Sequence, residues 1–522
     1  MNILPRELIG EISNSLDIAD AIEFGKTNKQ FNTYLSKTDF GYKISYKVNI
    51  KKLFDINQAN GTATRKQYIV GHFKHVIVES LNEFSYLQTP FPWLTHLTFG
   101  NKFNESIEKL KLPASLTQLT FGTYFNQSVD NLKLPTSLTH LKFGFHFNQS
   151  VDNIKLPTSL THLTFGYMFD HPVCKLKSLK SLIQLKFGDY FNQSIDNLEL
   201  HLQTSLTHLT FGSNFKICNN LKLPNSLTHL IMPSSFDQSF INTALPISVT
   251  HLEFGFHFNK PIDNLRLPSS ITHFTFGIEF DQPVDNLKLP PSLTYLKFGY
   301  SFNQSVDNLK LPSSLTHLLF DTSFNHPVDN LKLPPSLVHL KFEHAFDQSV
   351  DNLKLPSSLT HLSFGSYFNQ SFDNLKLPSS LTHLSFGSHF NQPVDNLKLP
   401  SSLRHLSFGA RFNQPVDNLK LPSSLTHLKF GYSFKQSVDN LKLPSSLTRL
   451  SFGSRFNQPV DNLKLPSSLT HLIFGYHFKQ SLDKLKLPSS LRHLSVVRQP
   501  YDDHKLNSYQ CIAINYTTQV NK

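Results

Sequence analysis

Residues 359–380 read LTHLSFGSYFNQSFDNLKLPSS, and the next 22 read LTHLSFGSHFNQPVDNLKLPSS. Alignment on the Phe of LxF puts Phe99, Phe121, Phe143, Phe165, Phe187, Phe211, Met232 and Phe254 in one column. The column then recurs every 22 residues from Phe254 to Val496, giving 19 strand positions in all. Two spacings differ: 24 residues between Phe187 and Phe211, and 21 between Phe211 and Met232. A fixed period of this length is the mark of a solenoid. A chain of 522 residues exceeds what one globular core usually holds. An array escapes that limit because each unit packs only on its neighbours.

One unit can be read from residues 94–116. Leu97 and Phe99 alternate with His96 and Thr98, the period of a half-buried strand. Gly100 reads as the strand end, supplying a positive φ for the turn. Phe103, Ile107, Leu110 and Leu112 return to the interior, and Pro113 stops strand pairing and turns the chain back to Leu116. Proline recurs once per period, which excludes long helices from the array. The expected fold is a repeat solenoid, mainly β, with one parallel sheet built from coils about 4.8 Å apart. Asn126, Asn148 and Asn303 of the Phe-Asn pair, and Asn131, Asn308 and Asn352 of the Asp-Asn pair, are expected to form interior ladders that satisfy turn backbone.

The net charge of +12 raises nucleic acid as a partner. The charge is instead distributed in ladders. Lys133, Lys310, Lys354, Lys376 and Lys398 share one repeat position, and Asp130, Asp307, Asp351, Asp373 and Asp395 lie three residues earlier. Aromatic stacking positions are not interleaved with these lysines, which argues against nucleic acid. Cys174, Cys218 and Cys511 show no metal-binding or disulfide spacing. No apolar run approaches a membrane span, and no signal-type apolar region opens the chain, so the reading is a cytoplasmic protein. The Asn-x-Ser triplets at Asn126, Asn148, Asn192, Asn303 and Asn369 then read as by-products of the repeat.

Residues 1–45 do not repeat. Pro5 and Glu7 suit a helix start, Leu8, Ile9, Ile12 and Leu16 follow at helical spacing, and Asn28 can cap a later helix carrying Phe31. The run Leu4-Pro5-x-Glu7-Leu8-Ile9-x-x-Ile12-x-x-x-Leu16, then Asp20 and Thr27-Asn28-Lys29-x-Phe31, resembles an F-box over about 40 residues. There is no Trp in this segment, where many F-boxes carry one. The resemblance implies a small helical unit whose Leu4, Pro5, Leu8, Ile9 and Ile12 face the Skp-type adaptor of a cullin-RING ubiquitin ligase. The alternative is that these residues form only the core of a helical cap. Residues 46–73 read as a linker, 74–93 as a degenerate capping coil, 94–497 as the array and 498–522 as a C-terminal cap or tail.

The LxxLxF wording resembles a leucine-rich repeat. The fuller wording FNQPVDNLKLPSSL at residues 412–425 resembles the FNIP repeat, a short leucine-rich-repeat-like unit. F-box followed by FNIP repeats is an arrangement associated with amoebae and the giant viruses that infect them. The resemblance implies a host-cell cytoplasmic location if the chain is viral. It also implies a substrate-recognition adaptor whose array holds a target protein. A protein-interaction scaffold with no ligase role is the competing expectation.

Histidine sits three residues before the column Phe in 15 of 19 strands, from His96 to His493. It points out where Leu97 and Phe99 point in. A straight row of imidazoles does not converge on a metal and offers no nucleophile with its base and orienter. No catalytic residue, metal site or cofactor is therefore expected. The row is expected to be architectural and weakened by acid. Variation concentrates elsewhere. It falls on the two residues after each Gly, including Thr123, Tyr124, Phe145, His146, Tyr190, Glu279, Tyr367, His389, Arg411, Arg455, Tyr476 and His477, and on the residue between Leu and Phe. Exposed variation on a constant frame is what recognition of a target requires, and neutral drift at solvent positions is the competing explanation.

Overall fold

The computed structural model describes residues 48–49, 75–81, 94–216, 221–236, 245–497 and 511–514. The N-terminal helical unit expected at residues 1–45 lies outside the described residues. The chain divides into two compact units, Met1–Ser235 and Phe236–Lys522.

Alternation of apolar and polar residues does set the strands. Each of the 19 strand positions carries one. In the first unit they run from His96–Phe99 to His229–Ile231, preceded by His75–Val78. In the second they run from His251–Glu253 to His493–Val497. Within each unit neighbouring strands are parallel and unshifted: His361 faces His383, Leu362 faces Leu384, and Ser363 faces Ser385. Such register keeps every Leu and Phe on the inner face, since a one-residue slip would expose them all. At the start of the first unit, Val48–Asn49 pairs in parallel with Val76 and Ile77. At the end of the second, Cys511–Ile514 runs antiparallel to Leu494–Val497.

The core consists of columns. Leu362, Phe364 and Phe368 are 1%, 3% and 0% exposed, and their equivalents are alike in nearly every coil. Two phenylalanine columns interlock: Phe143 and Phe147 of one coil stack at 4.0 Å, and each stacks on its equivalent in the next coil, at 5.9 Å and 6.1 Å. Ring stacking of this kind adds to area burial, which explains why Phe recurs at two positions in nearly every coil.

The glycine after the strand has a different cause from the one expected. No glycine of the column adopts a positive φ; among the described residues the sole non-glycine example is Glu199. A Cβ on Gly387 would instead lie 1.6 Å from the carbonyl oxygen of Gly365, one coil below. Glycine is required because successive backbones approach too closely for a side chain. Asp321 and Glu343 interrupt the column, and at Glu343 the ladder continues one residue further, its N–H donating to the Phe320 carbonyl at 2.9 Å.

The two asparagine columns diverge. The Phe-Asn column does form a ladder: Asn126 Oδ1 accepts the Asn148 N–H at 2.8 Å and the Gln149 amide at 3.1 Å. It sits at a partly exposed edge, where Asn148 and Asn303 face solvent, so it is not interior. Asn131, Asn308 and Asn352 are exposed and form no such ladder, which corrects the second half of that expectation. Leu and Val beside them already close the core, so no turn backbone there needs an interior amide. The turn polar groups are met by serine: Ser380 Oγ donates to the Leu359 carbonyl at 2.7 Å, and its equivalents do the same at most coils.

The irregular spacings keep their strands. The two extra residues between Phe187 and Phe211 are taken up by short 3₁₀ turns, Asp196–Leu198 and Leu200–Leu202, joined by left-handed Glu199. Met232 fills the Phe position with full burial.

Candidate interaction surface

The outer sheet face is built from the strand residues that alternate with Leu and Phe. The first outward column is histidine. Its rings stack closely, at 4.3 Å for His317–His339, 4.1 Å for His339–His361, His361–His383 and His383–His405, and 4.2 Å for His405–His427. A preceding threonine fixes most of these rings, as in the 2.7 Å contact of Thr360 Oγ1 with His361 Nδ1. Arg404 replaces that threonine before His405, whose Nδ1 is left with no partner. Burial against the sheet holds these imidazoles below their ordinary pKa, and the charge of neighbouring imidazoles adds to it, at His361 from His383 and His317. At His427 the second contribution comes from Arg449. Among the described residues no cluster of three or more His, Cys, Asp or Glu could hold a metal.

The two residues after each glycine form further columns. In the first unit both columns carry aromatics: Phe145 stacks flat on Tyr167 at 4.5 Å, and Tyr167 meets Tyr190, the second residue after Gly188, at 5.3 Å. Tyr124 stacks on His146 at 5.0 Å, and Thr123 donates to Asn101 Oδ1. Tyr124, Phe145 and Tyr190 are 55%, 43% and 47% exposed, which is unusual for so large an apolar surface. The structure therefore gathers Tyr124, Phe145, His146 and Tyr190 into one ridge. Sequence reasoning passed over Tyr167, and likewise Phe256, Tyr300 and Tyr432, all exposed and all first after the strand end. Their repeat position was the available signal.

In the second unit the candidates scatter. Glu279 is paired with His257 at 2.8 Å, and Tyr367 stacks on His389 at 4.5 Å. His389 and His477 each direct Nδ1 at a serine carbonyl of the coil below, Ser366 and Ser454. Arg411 is exposed, Tyr476 is exposed, and the Arg455 guanidinium lies 5.2 Å from the centre of the Tyr432 ring. Between these columns and the histidines the face sinks into a trough of about 680 Å³. Its floor is the residue between Leu and Phe, the column Phe and the column Gly; one end carries Lys341 with Glu343, the other Ile473 with Tyr476, and Lys429 with Tyr432 lie between. Sequence reasoning singled out the column between Leu and Phe as variable, but not the concavity it floors.

No helix among the described residues is long and apolar enough to cross a membrane. Among curated proteins, none matches this chain. A solved structure described as the crystal structure of CroV588, a novel circular LRR protein, is 40% identical with a TM-score of 0.60, and the match covers 81% of this chain and 71% of that one. YopM from Yersinia enterocolitica is 19% identical with a TM-score of 0.37, covering 77% of this chain and 86% of that one. An internalin from Listeria monocytogenes is 16% identical with a TM-score of 0.27, covering 65% and 80%. The FNIP Repeat family matches residues 92–124, 125–168, 219–257, 258–301, 302–344, 346–389, 368–411, 390–433, 412–455 and 456–496. With more than half of its length matched by that family, the chain belongs to the FNIP repeat family.

Proposed function

We propose that this chain is a protein-binding array whose target is read by the columns after the glycine and between Leu and Phe. The observation that carries the reading is the exposed aromatic ridge of Tyr124, Phe145, Tyr167 and Tyr190, held on a frame whose buried columns hardly vary. Rigid aromatic side chains contribute much contact area at low entropic cost, and they recur where interfaces concentrate their binding energy. The test is cross-linking of the full chain in cell extract, wild type against a variant with all four aromatics changed to Ser. Loss of the principal cross-linked protein supports the reading, and an unchanged cross-linking pattern removes the ridge from it.

A finer reading rests on the LPxELI run alone. In it the chain acts in the cytoplasm as the substrate-recognition subunit of a cullin-RING ligase. Leu4, Pro5, Leu8, Ile9 and Ile12 dock on a Skp-type adaptor while the array holds the target. Co-precipitation of a Skp-type adaptor by wild type, abolished by Leu8→Asp with Ile12→Asp, is the expected result. Adaptor binding that survives the double change, or is absent from wild type, leaves the scaffold reading alone.

A further inference from the structure

The trough in the second unit is a site in its own right. Ser363, Ser385 and Ser407 line it, and their hydroxyls make no hydrogen bond to the described residues. Phe364, Phe386 and Phe408 also line it, yet their rings are 2–3% exposed, so the main chain forms that part of the floor. That main chain is incomplete. At Glu343 the N–H is donated to the Phe320 carbonyl, and at Gly100 to the Val78 carbonyl at 2.8 Å. The equivalent bonds are not made at Gly365, Gly387 and Gly409, nor at Gly144 and Gly166 in the first unit, so the frame leaves an N–H and a Phe carbonyl without a main-chain partner in these coils; in the trough they line a concavity. Backbone groups of a folded chain are paired with protein or with water, so a row of them in a concavity open to solvent is available to a ligand that replaces the water.

The charge around the row is one-sided. Arg404, Arg411, Lys429, Arg449 and Arg455 are all exposed on the strand side of coils 403–456. The carboxylate that lines the trough, Glu343, is already paired with Lys341 at 2.5 Å. The aspartates of these coils lie in the Asp-Lys ladders beyond the buried Val column.

We propose that the trough binds an extended acidic polypeptide segment laid across the strands. The proposal rests on the protein-binding reading of the array and names its ligand. A peptide brings both N–H and C=O, and so can answer free carbonyls as well as free amides. A bare polyanion answers only the amides. Single-stranded nucleic acid would want aromatic platforms at each base, and from Ser363 to Gly409 the floor offers hydroxyls and glycine. Seven strands line the trough, and at about 4.8 Å per strand that span takes about nine extended residues.

The test is fluorescence anisotropy of the full chain with a labelled Glu-Ser repeat peptide of about that length. A Lys-Ser peptide and oligothymidylate of similar length serve as comparison probes. Three variants are compared with wild type. Arg411→Glu with Lys429→Glu reverses charge at the trough. Ser385→Leu with Ser407→Leu fills its floor. Lys376→Glu with Lys398→Glu makes the same charge change in the outer lysine ladder. All six positions are solvent-facing or half-buried on the outer surface, so thermal melts should match wild type and report any that do not. The expected result is salt-sensitive binding of the Glu-Ser peptide, weakened about tenfold or more by both trough variants and little by the ladder variant. Equal loss in the ladder variant, tighter binding of oligothymidylate, or no binding of the Glu-Ser peptide overturns the proposal. If the ridge variant loses its cross-linked protein while the trough variants change nothing, the trough assignment falls and the protein-binding reading stands.

Discussion

Coils 116–190 in the first unit and coils 359–411 in the second share one frame and present opposite surfaces. Both bury the same Leu and Phe columns and both close each strand on glycine. In the first, the residues after glycine are Thr123-Tyr124, Phe145-His146, Tyr167-Met168 and Asp189-Tyr190, and the surface rises as an aromatic ridge. In the second, the first of them is Ser366, Ser388 or Ala410, and the surface sinks to main chain. The contrast comes from a few side chains per coil that the core does not constrain. A repeat frame thus separates what must stay from what can carry a message.

The largest effect should fall on what the two regions share. Gly166→Val and Gly387→Val each force a Cβ to within 1.7 Å and 1.6 Å of a glycine carbonyl one coil away. Backbone, unlike a side chain tip, cannot step aside cheaply, so each should cost about 3 kcal/mol or more in a denaturant melt. Equal losses would confirm one frame under two surfaces. Tolerance at either site would mean that its coil can extend its ladder as Glu343 does, and the shared-frame argument would fail there.

Acid should separate the regions. In the second unit six imidazoles stack without a break, from His317 to His427. In the first unit Gln118 and Gln184 interrupt the column, leaving the His140–His162 and His208–His229 pairs at 4.0 Å and 4.1 Å. In the second unit the folded state holds the six imidazoles from His317 to His427 below the ordinary histidine pKa of 6.5, first through burial and then through neighbouring positive charge. The unfolded chain therefore takes up protons first as pH falls. The stabilisation is complete above pH 6.5 and is lost as pH drops through the lowered folded values. Hydrogen exchange at pH 7.5 and pH 5, corrected for intrinsic rates, should show protection falling more between Leu318 and Leu428 than between Leu119 and Leu209. The reverse order would show that stacking, as opposed to simple burial, plays no part.

Much of this was legible in the sequence, and the rest was hidden for physical reasons. The strands, their parallel pairing and the inward Leu and Phe follow from a period of 22 and an alternation of two, so both survive without coordinates. The outward histidine column was legible for the same reason. The glycine column, read from Gly100, was misread because a turn glycine and a close-approach glycine look identical in one coil, and from Gly122 on only the coil below distinguishes them. Asn131 and its equivalents were misplaced because periodicity reports that a residue recurs, not which way its amide faces. The column between Leu and Phe was singled out as variable, but the concavity over it was hidden because it is made of missing side chains and unmade hydrogen bonds. Neither leaves a residue type to notice.

The smallest effect tests whether the exposed aromatics belong to the frame at all. Tyr167 lies between Phe145 and Tyr190, and Tyr432 lies under the Arg455 guanidinium. If either contact helps hold the coils together, its removal should register in stability. A stacked aromatic pair contributes about 0.5–1.5 kcal/mol beyond burial, and an exposed cation–π pair about 0.5–1 kcal/mol. Both sites are open to solvent, so Tyr167→Ser should cost about 1 kcal/mol at most, and Tyr432→Ser about half of that. Either loss is small beside the glycine substitutions. Melts showing such small losses, together with loss of bound protein in the ridge variant, would assign the ridge to recognition. A loss at Tyr167 as large as that at Gly166 would instead make the ridge part of the core's support, and the two regions would then differ in architecture as well as in surface.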